Sequence, residues 1–323
     1  MTVKNLDLTE FRGVRALKKP LTLKKFNLII GRNNAGKTSL LEALSLLPHP
    51  LAYHPRPMET EGTKISTLTS LHGISEEVAL VYGGEGEACL RFMVNSSKVI
   101  IEIGKGKRLF TANGEKFGDS DADKAAKKLK LERDEVVFIP NSEKFLSTIE
   151  KRLYKEWSMV EKSEAHFTLA QQIGVSTGEK LTEVTPRFSE LCLRKVRNGI
   201  PIYVRVKDQG SGVRRALLVM LWIESLKPKL ILWDDFEASM HPSLIRFALE
   251  WLAKGKWQAV LTTHSLDVLG YFADIESDKD AQLIMLGKDR NDVLDYEVYS
   301  PSEVDKLLNA NTDPRKLAEA LGL

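Results

Sequence analysis

Residues 31–38 read Gly-Arg-Asn-Asn-Ala-Gly-Lys-Thr and fill the spacing G-x-x-x-x-G-K-[ST] completely. That spacing suits the phosphates of a nucleoside triphosphate, here taken as ATP. Gly31 and Gly36 let the backbone curl, so that the N–H groups of Asn33, Asn34, Ala35 and Gly36 converge on phosphate oxygens. Lys37 sets a positive charge against the β- and γ-phosphates, and Thr38 offers a hydroxyl to Mg²⁺. Ser39 follows at the start of a helix whose N-terminal dipole favours anions. The alternative, a chance glycine turn, does not explain why a strand precedes the loop and a helix follows it.

Three further groups carry chemistry. Leu230–Trp233 is an apolar run that ends in Asp234-Asp235, so Asp234 is placed to hold Mg²⁺ through water. Asp235 is then placed to polarise an attacking water. Many strands end in acids, and the pair gains meaning only beside the 31–38 loop. The run Ala259–Thr263 ends at His264, where a neutral imidazole can donate to a γ-phosphate; a lone histidine is as readily structural. Finally, Ser211-Gly212 opens the helical run 213–226, a place where backbone N–H groups bind anions unless Ser211 serves only as a helix cap.

The elements that must position these groups are legible in the hydrophobic pattern. Phe26–Ile30, Glu135–Ile139, Lys229–Trp233 and Ala259–Thr263 are short continuous apolar runs, as buried parallel strands require. Thr2–Phe11 alternates like a half-buried strand, and Leu21–Leu23 reads as another. After Ser39–Leu47 the helical pattern stops, because four prolines fall within Pro48–Pro57. Val78–Tyr82, Ala88–Val94, Val99–Ile103 and Arg108–Thr111 read as an antiparallel meander, with Asn113-Gly114 as a hairpin turn. Asp121–Lys130 and Asn141–Ile173 read as helical, Gly174–Gly178 as an interruption, and Pro186–Leu193 as a resumed helix. Ile200–Lys207, Leu283–Leu286 and Asp295–Tyr299 read as strands. Two capped helices follow, at Ser300-Pro301-Ser302-Glu303 and Asp313-Pro314.

The 323 residues hold 43% hydrophobic and 28% charged side chains, which implies a substantial core and excludes a disordered chain. With 47 basic against 44 acidic residues, net charge +3, there is no global footprint for nucleic acid. Cys89 and Cys192 stand far apart without metal-type spacing, which argues against zinc and for a reducing cytoplasm. No apolar run nears the ~20 residues that span a bilayer.

The order of the four chemical groups, P-loop, Ser-Gly helix, acid-ended strand and Thr-His, resembles the ABC-type ATPase fold. Within it the chain resembles the soluble branch of RecF, SMC and OLD (overcoming lysogenization defect) proteins. Phe11-Arg12-Gly13 is similar to the branch's N-F-R opening, and GRNNAGKT to its G-x-N-x-x-G-K-[ST]. WDDFEASMHP is similar to its D-E-P-E-x-x-L-H-P block, and QGSGVRR to its shortened signature. The resemblance implies an α/β P-loop NTPase with an ABC-type mixed sheet, an antiparallel β meander and a helical lobe. Its expected division is a P-loop lobe at 1–139, a helical insertion at 140–205, the signature, Walker B and histidine part at 206–300, and a helical tail at 301–323.

The resemblance also implies a homodimer in which two heads share two ATP. Ser211 and Gly212 would then touch the partner's γ-phosphate while His264 acts in cis. Asn141 or Ser142 is the candidate for the Q-loop position near the metal, and Arg12 either reaches the nucleotide or is a plain surface arginine. The sequence departs from the family at Asp235, where a Glu is usual. One methylene less withdraws the carboxylate by about 1.5 Å, which implies slow hydrolysis with Glu237 as fallback base. About sixty residues follow His264, too few for a Toprim nuclease domain, and the middle insertion is too short for a long coiled coil. The expected role is an ATPase of DNA maintenance or defence, acting on DNA or another protein. The alternative is a nucleotide-gated module with little turnover; a transporter subunit ranks lower, without a coupling segment or the longer L-S-G-G-Q signature.

Overall fold

The computed structural model describes residues 3–53, 62–73, 76–131, 135–275 and 279–320. The proline-rich loop is therefore described only as far as Tyr53; its later prolines lie outside the described residues. The chain opens with β1 (Val3–Phe11), β2 (Val14–Leu17), β3 (Leu21–Thr22) and β4 (Phe26–Gly31), followed by α1 (Lys37–Ser45) and α2 (Lys64–Leu71). A meander of β5 (Glu87–Val94), β6 (Ser97–Gly104), β7 (Lys107–Ala112) and β8 (Glu115–Phe117) leads through α3 (Ala122–Lys128) to β9 (Val136–Ile139).

The insertion begins with three helices, α4 (Glu143–Lys155), α5 (Trp157–Ser163) and α6 (Ala165–Thr177). It continues as a separate antiparallel sheet of β10 (Leu181–Arg187), β11 (Glu190–Arg197) and β12 (Ile200–Arg205). The rest comprises α7 (Ser211–Leu226), β13 (Leu230–Trp233), α8 (Pro242–Lys254), β14 (Gln258–Thr262) and α9 (Leu266–Ala273). β15 (Ala281–Lys288), β16 (Val293–Tyr299), α10 (Pro301–Asn309) and α11 (Pro314–Ala320) complete it.

One sheet runs through the molecule in the order β8-β7-β6-β5-β1-β2-β16-β15-β4-β14-β13-β9, with β3 on the side of β1. Its centre is parallel: β15, β4, β14, β13 and β9 all run the same way. Each of these strands except β15 is four to six residues long, and β4, β9, β13 and β14 are apolar on both faces, because helices cover both sides. Side chains alternate between two cores. Leu28, Ile231, Trp233 and Ala259 face the helical lobe, whereas Ile29, Leu230, Leu232 and Val260 face α1 and the meander.

Three expectations fail. Gly174–Gly178 does not interrupt the helix: α6 runs through Gly174 to Thr177 and is capped by Gly178. Pro186–Leu193 is not a resumed helix: it spans the β10–β11 hairpin, so the 140–205 insertion is helical only as far as Thr177. Phe188 and Ser189 both hold positive φ (54° and 60°) between the paired Arg187 and Glu190. That is a two-residue hairpin turn made without glycine or asparagine, so no turn signal marked it. Pro186 is tolerated because β10 lies at the edge of its sheet. Likewise Val78–Tyr82 is not a strand; Glu77–Leu80 forms a 3-10 turn, with a single bridge between Val81 and Phe11. The two tail helices form as expected, and Ser300 and Glu303 cap α10 reciprocally.

Candidate functional site

The open ends of the parallel strands gather the candidate residues. β4 stops at Gly31, where a Cβ would lie 2.5 Å from the Leu286 carbonyl oxygen on β15. Any side chain there would push the P-loop strand off its neighbour. The loop then turns through Asn34 (φ 65°) and Gly36 (φ 85°) into α1, and α1 begins without a side-chain cap. Its first N–H groups are thus left for an external acceptor. Lys37 is buried, its Nζ donating to the Gly31 and Arg32 carbonyls at 3.0 Å each. Burial pushes its ammonium down from the ordinary lysine range, against the pull of Asp235, Asp234 and Glu237.

β14 lies between the P-loop strand β4 and the acid-ended strand β13, and its last residue ties the two together. Thr262 Oγ1 donates to Asp234 Oδ1 at 2.6 Å and accepts from the Asp235 N–H at 2.8 Å. From the other side Thr38 Oγ1 donates to Asp234 Oδ2 at 2.9 Å. Asp234 is buried, and desolvation raises its pKa above the usual carboxylate range despite both hydroxyls, with Asp235 adding repulsion.

The linkage follows from that direction. An acid whose folded pKa is raised contributes stability at low pH that is lost as pH rises through the folded value. Asp234→Asn, which imitates the neutral form, should therefore melt higher than wild type at neutral pH without nucleotide. The expected rise is roughly 1–2 °C, the shift that ~1 kcal/mol gives in a domain of this size. The difference should vanish on acidification, as thermal melts across pH will show.

Asp235 occupies a left-handed backbone position (φ 43°) and turns its carboxylate to Asn141, whose Nδ2 donates at 3.3 Å. Asn141, just past β9, in turn accepts from Arg215 Nη1 at 3.2 Å. Arg215 is buried and also donates to the Asp234 carbonyl at 3.1 Å. Asn141 is thus beside the acidic pair, while Glu237 Oε1 accepts from the His264 N–H at 2.9 Å and its buried Oε2 has no partner among the described residues.

Ser211 is exposed at the first turn of α7, which has no side-chain cap, so the capping alternative does not apply. Gly212 packs directly on the turn after β13; a Cβ there would lie 2.2 Å from the Ser239 carbonyl oxygen. Arg12 is neither a free surface residue nor aimed at the P-loop. Its Nε donates to the buried Glu42 on α1 at 3.0 Å, and His72 Nε2 lies 2.6 Å from the other Glu42 oxygen. Arg12 therefore grips the phosphate-side helix one turn beyond Thr38.

Thr262, Arg215 and Glu42 escape a reading of motifs because their partners lie far away in sequence. Only Thr262, the first threonine of the Thr-Thr-His run, left a trace: a polar residue closing a buried apolar strand.

A P-loop, a hydroxyl–carboxylate pair across an intervening strand and a glycine-opened helix define a P-loop ATPase of the ABC-like kind. The chain belongs to the family described as "AAA ATPase domain", matched over residues 1–167. Residues 92–270 match a second family, "AAA domain, putative AbiEii toxin, Type IV TA system". The chain is 28% identical over 124 residues to the DNA replication and repair protein RecF of Teredinibacter turnerae, covering 36% of this chain and 32% of RecF. It therefore spans about a third of that relative's length. It is also 28% identical over 120 residues to protein MJECL11 of Methanocaldococcus jannaschii, covering 35% of this chain and 96% of that one.

Among solved structures, an SMC head bound to the C-winged helix domain of ScpA superposes with a TM-score of 0.68 at 12% identity, covering 93% of this chain and 98% of that one. The SMC head domain from Thermotoga maritima gives 0.53 at 14%, covering 93% and 99%. At these identities the likeness is one of fold. No helix among the described residues is long and apolar enough to cross a membrane.

Proposed function

We propose that this chain is an ATP-hydrolysing head that closes on a second copy of itself around two Mg-ATP. The observation that carries the reading is the Thr38–Asp234–Thr262 chain of hydrogen bonds. It sets a hydroxyl and a carboxylate side by side at the P-loop mouth. Among the described residues no three His, Cys, Asp or Glu side chains form a metal cluster. A divalent ion held by Thr38 and, through water, by Asp234 would thus complete its shell with phosphate and water oxygens, as Mg²⁺ prefers. When bound it would neutralise charge on the β- and γ-phosphates.

Asn33, Asn34, Ala35, Gly36 and Ser39 supply N–H groups, and Lys37 exchanges its two carbonyl acceptors for phosphate oxygens. Asp235, aimed by Asn141 and by its N–H on Thr262, accepts a proton from the attacking water. The water oxygen bonds to the γ-phosphorus, the bond to the β–γ bridging oxygen breaks, and ADP and phosphate leave. Glu237 holds the His264 amide, which favours Asp235 as the base. Arg12 acts on the nucleotide through Glu42 and α1. Ser211 and Gly212, with an uncapped helix end behind them, serve the ATP of the partner head.

A role in DNA maintenance is supported by the RecF similarity, and one in defence by the match to the AbiEii-toxin family. The switch reading, with little turnover, is favoured by the short reach of Asp235. The test is ATP affinity by calorimetry together with phosphate release. Lys37→Ala should weaken Mg-ATP binding roughly tenfold to a hundredfold, the scale of a lost charge-assisted hydrogen bond, and remove turnover. Unchanged affinity would refute the P-loop assignment, and tight binding without phosphate release would leave the switch.

A further inference from the structure

His264 is exposed where the chain leaves β14, and its ring makes no hydrogen bond among the described residues. Its main chain, which fixes the point from which the imidazole swings, is held on both sides. Its N–H donates to Glu237 Oε1 at 2.9 Å, and its carbonyl accepts from Arg315 Nη1 at 2.9 Å. Arg315 comes from α11, 51 residues further on. Its guanidinium is oriented beforehand by a two-point contact with Asp313: Nε to Oδ1 at 3.0 Å and Nη2 to Oδ2 at 2.8 Å. Asp313 also accepts the Arg315 N–H at 2.9 Å. Such a planar fork loses little freedom on ordering, so its third donor can fix a carbonyl without much entropic cost. The pair lines a cleft of about 450 Å³ shared with Gly31, Arg32, Asn33 and Thr263, so α11 forms one wall of the P-loop mouth.

We infer that Arg315 is a positioning residue for His264, holding the histidine's peptide so that the imidazole faces the γ-phosphate end of the P-loop. The inference rests on the proposed role of His264 in cis. A purely structural Arg315 would pin α11 to the end of β14 and nothing more. The two roles separate in the rate: a structural loss lowers stability, whereas a misplaced imidazole lowers turnover and leaves ATP affinity alone.

The experiment measures single-turnover ATP hydrolysis and ATP affinity on the full chain for wild type, Arg315→Ala, Arg315→Lys, His264→Ala and the Arg315→Ala/His264→Ala double variant. His264→Ala should slow hydrolysis roughly a hundredfold, as for the loss of one transition-state donor. Arg315→Ala should slow it roughly tenfold or more, the scale of a group displaced by a fraction of an ångström, with ATP affinity unchanged within about threefold. The double variant should be no slower than His264→Ala, because the two act through one group. Arg315→Lys, which keeps a donor for the carbonyl but not the planar fork that aims it, should recover only part of the rate.

A normal rate for Arg315→Ala beside a slow His264→Ala would overturn the inference and leave the histidine's role standing. Additive losses would also overturn it, since Arg315 would then act by another route. A normal rate for His264→Ala would remove the histidine reading and this inference together. If Arg315→Ala does not fold, Asp313→Asn replaces it in the comparison. That variant keeps the guanidinium but loosens its fork, so a partial rate loss supports the inference and a wild-type rate overturns it.

Discussion

Replacing Asp235 by Asn should cut ATP turnover roughly a hundredfold or more, the usual contribution of a general base, and leave ATP bound at least as tightly as in wild type. Asn is isosteric and keeps both the N–H bond to Thr262 and an acceptor for Asn141. What disappears is a proton acceptor and a negative charge. The charge matters to its neighbour, because Asp235 is one of the causes that raise the pKa of Asp234. Without it Asp234 ionises more readily and becomes a better partner for a cation at the P-loop mouth. The variant should therefore accumulate with Mg-ATP bound. Burst-free phosphate-release kinetics and retained nucleotide after desalting check the two halves of this expectation. An unchanged steady-state rate would show that another group, Glu237 foremost, takes the proton.

The second large effect is expected at Gly212. A methyl group there would meet the Ser239 carbonyl oxygen at 2.2 Å, the Ser239 carbonyl carbon at 2.8 Å and the Met240 Cα at 2.9 Å. All three are backbone atoms of the turn that follows the acidic pair, and backbone cannot swing aside as a side chain can. Gly212→Ala must lift the N-terminus of α7 from that turn, at a cost of roughly 1–3 kcal/mol for overpacking. Because Arg215 on the same helix holds the Asp234 carbonyl and Asn141, the displacement reaches the head's own acidic cluster as well as the surface offered to a partner. Turnover should fall at least tenfold, as for a constellation moved by about 1 Å, and the melting temperature should drop. Gly210 is the control: a Cβ there meets nothing within 4 Å, so Gly210→Ala should melt and turn over like wild type. Equal behaviour of the two variants would contradict the packing argument.

The parts of the site that are contiguous in sequence were legible in it, because their spacing is itself the mechanism. Gly31–Thr38 must curl, Leu230–Trp233 must be buried before Asp234, and Ser211-Gly212 must start a helix. What was not legible depends on contacts between distant segments. Arg12 looked like a nucleotide contact or a surface residue, and only the fold brings Glu42 and His72 to it. Glu237 matches a family acid, and only the fold shows that one of its two oxygens receives the His264 amide. The β10–β11 hairpin leaves no turn signal in the sequence, because Phe188-Ser189 makes a positive-φ turn that neither residue type advertises. The two pairings of β14, with β4 and with β13, join runs that the sequence shows only separately; their order, which puts Thr262 between two motifs, is a property of the sheet.

The most direct test of the central claim is the mass of Asp235→Asn in solution, by sedimentation velocity with and without Mg-ATP. Ser211→Arg in the same background serves as the comparison, since it adds a bulky cation at the exposed start of α7. Two heads sharing two nucleotides predict that Mg-ATP doubles the mass of Asp235→Asn and that Ser211→Arg stays monomeric while still binding ATP. A chain that binds Mg-ATP at Gly31–Thr38 with no change in mass, or that dimerises equally well with arginine at 211, would contradict a site completed by a second head.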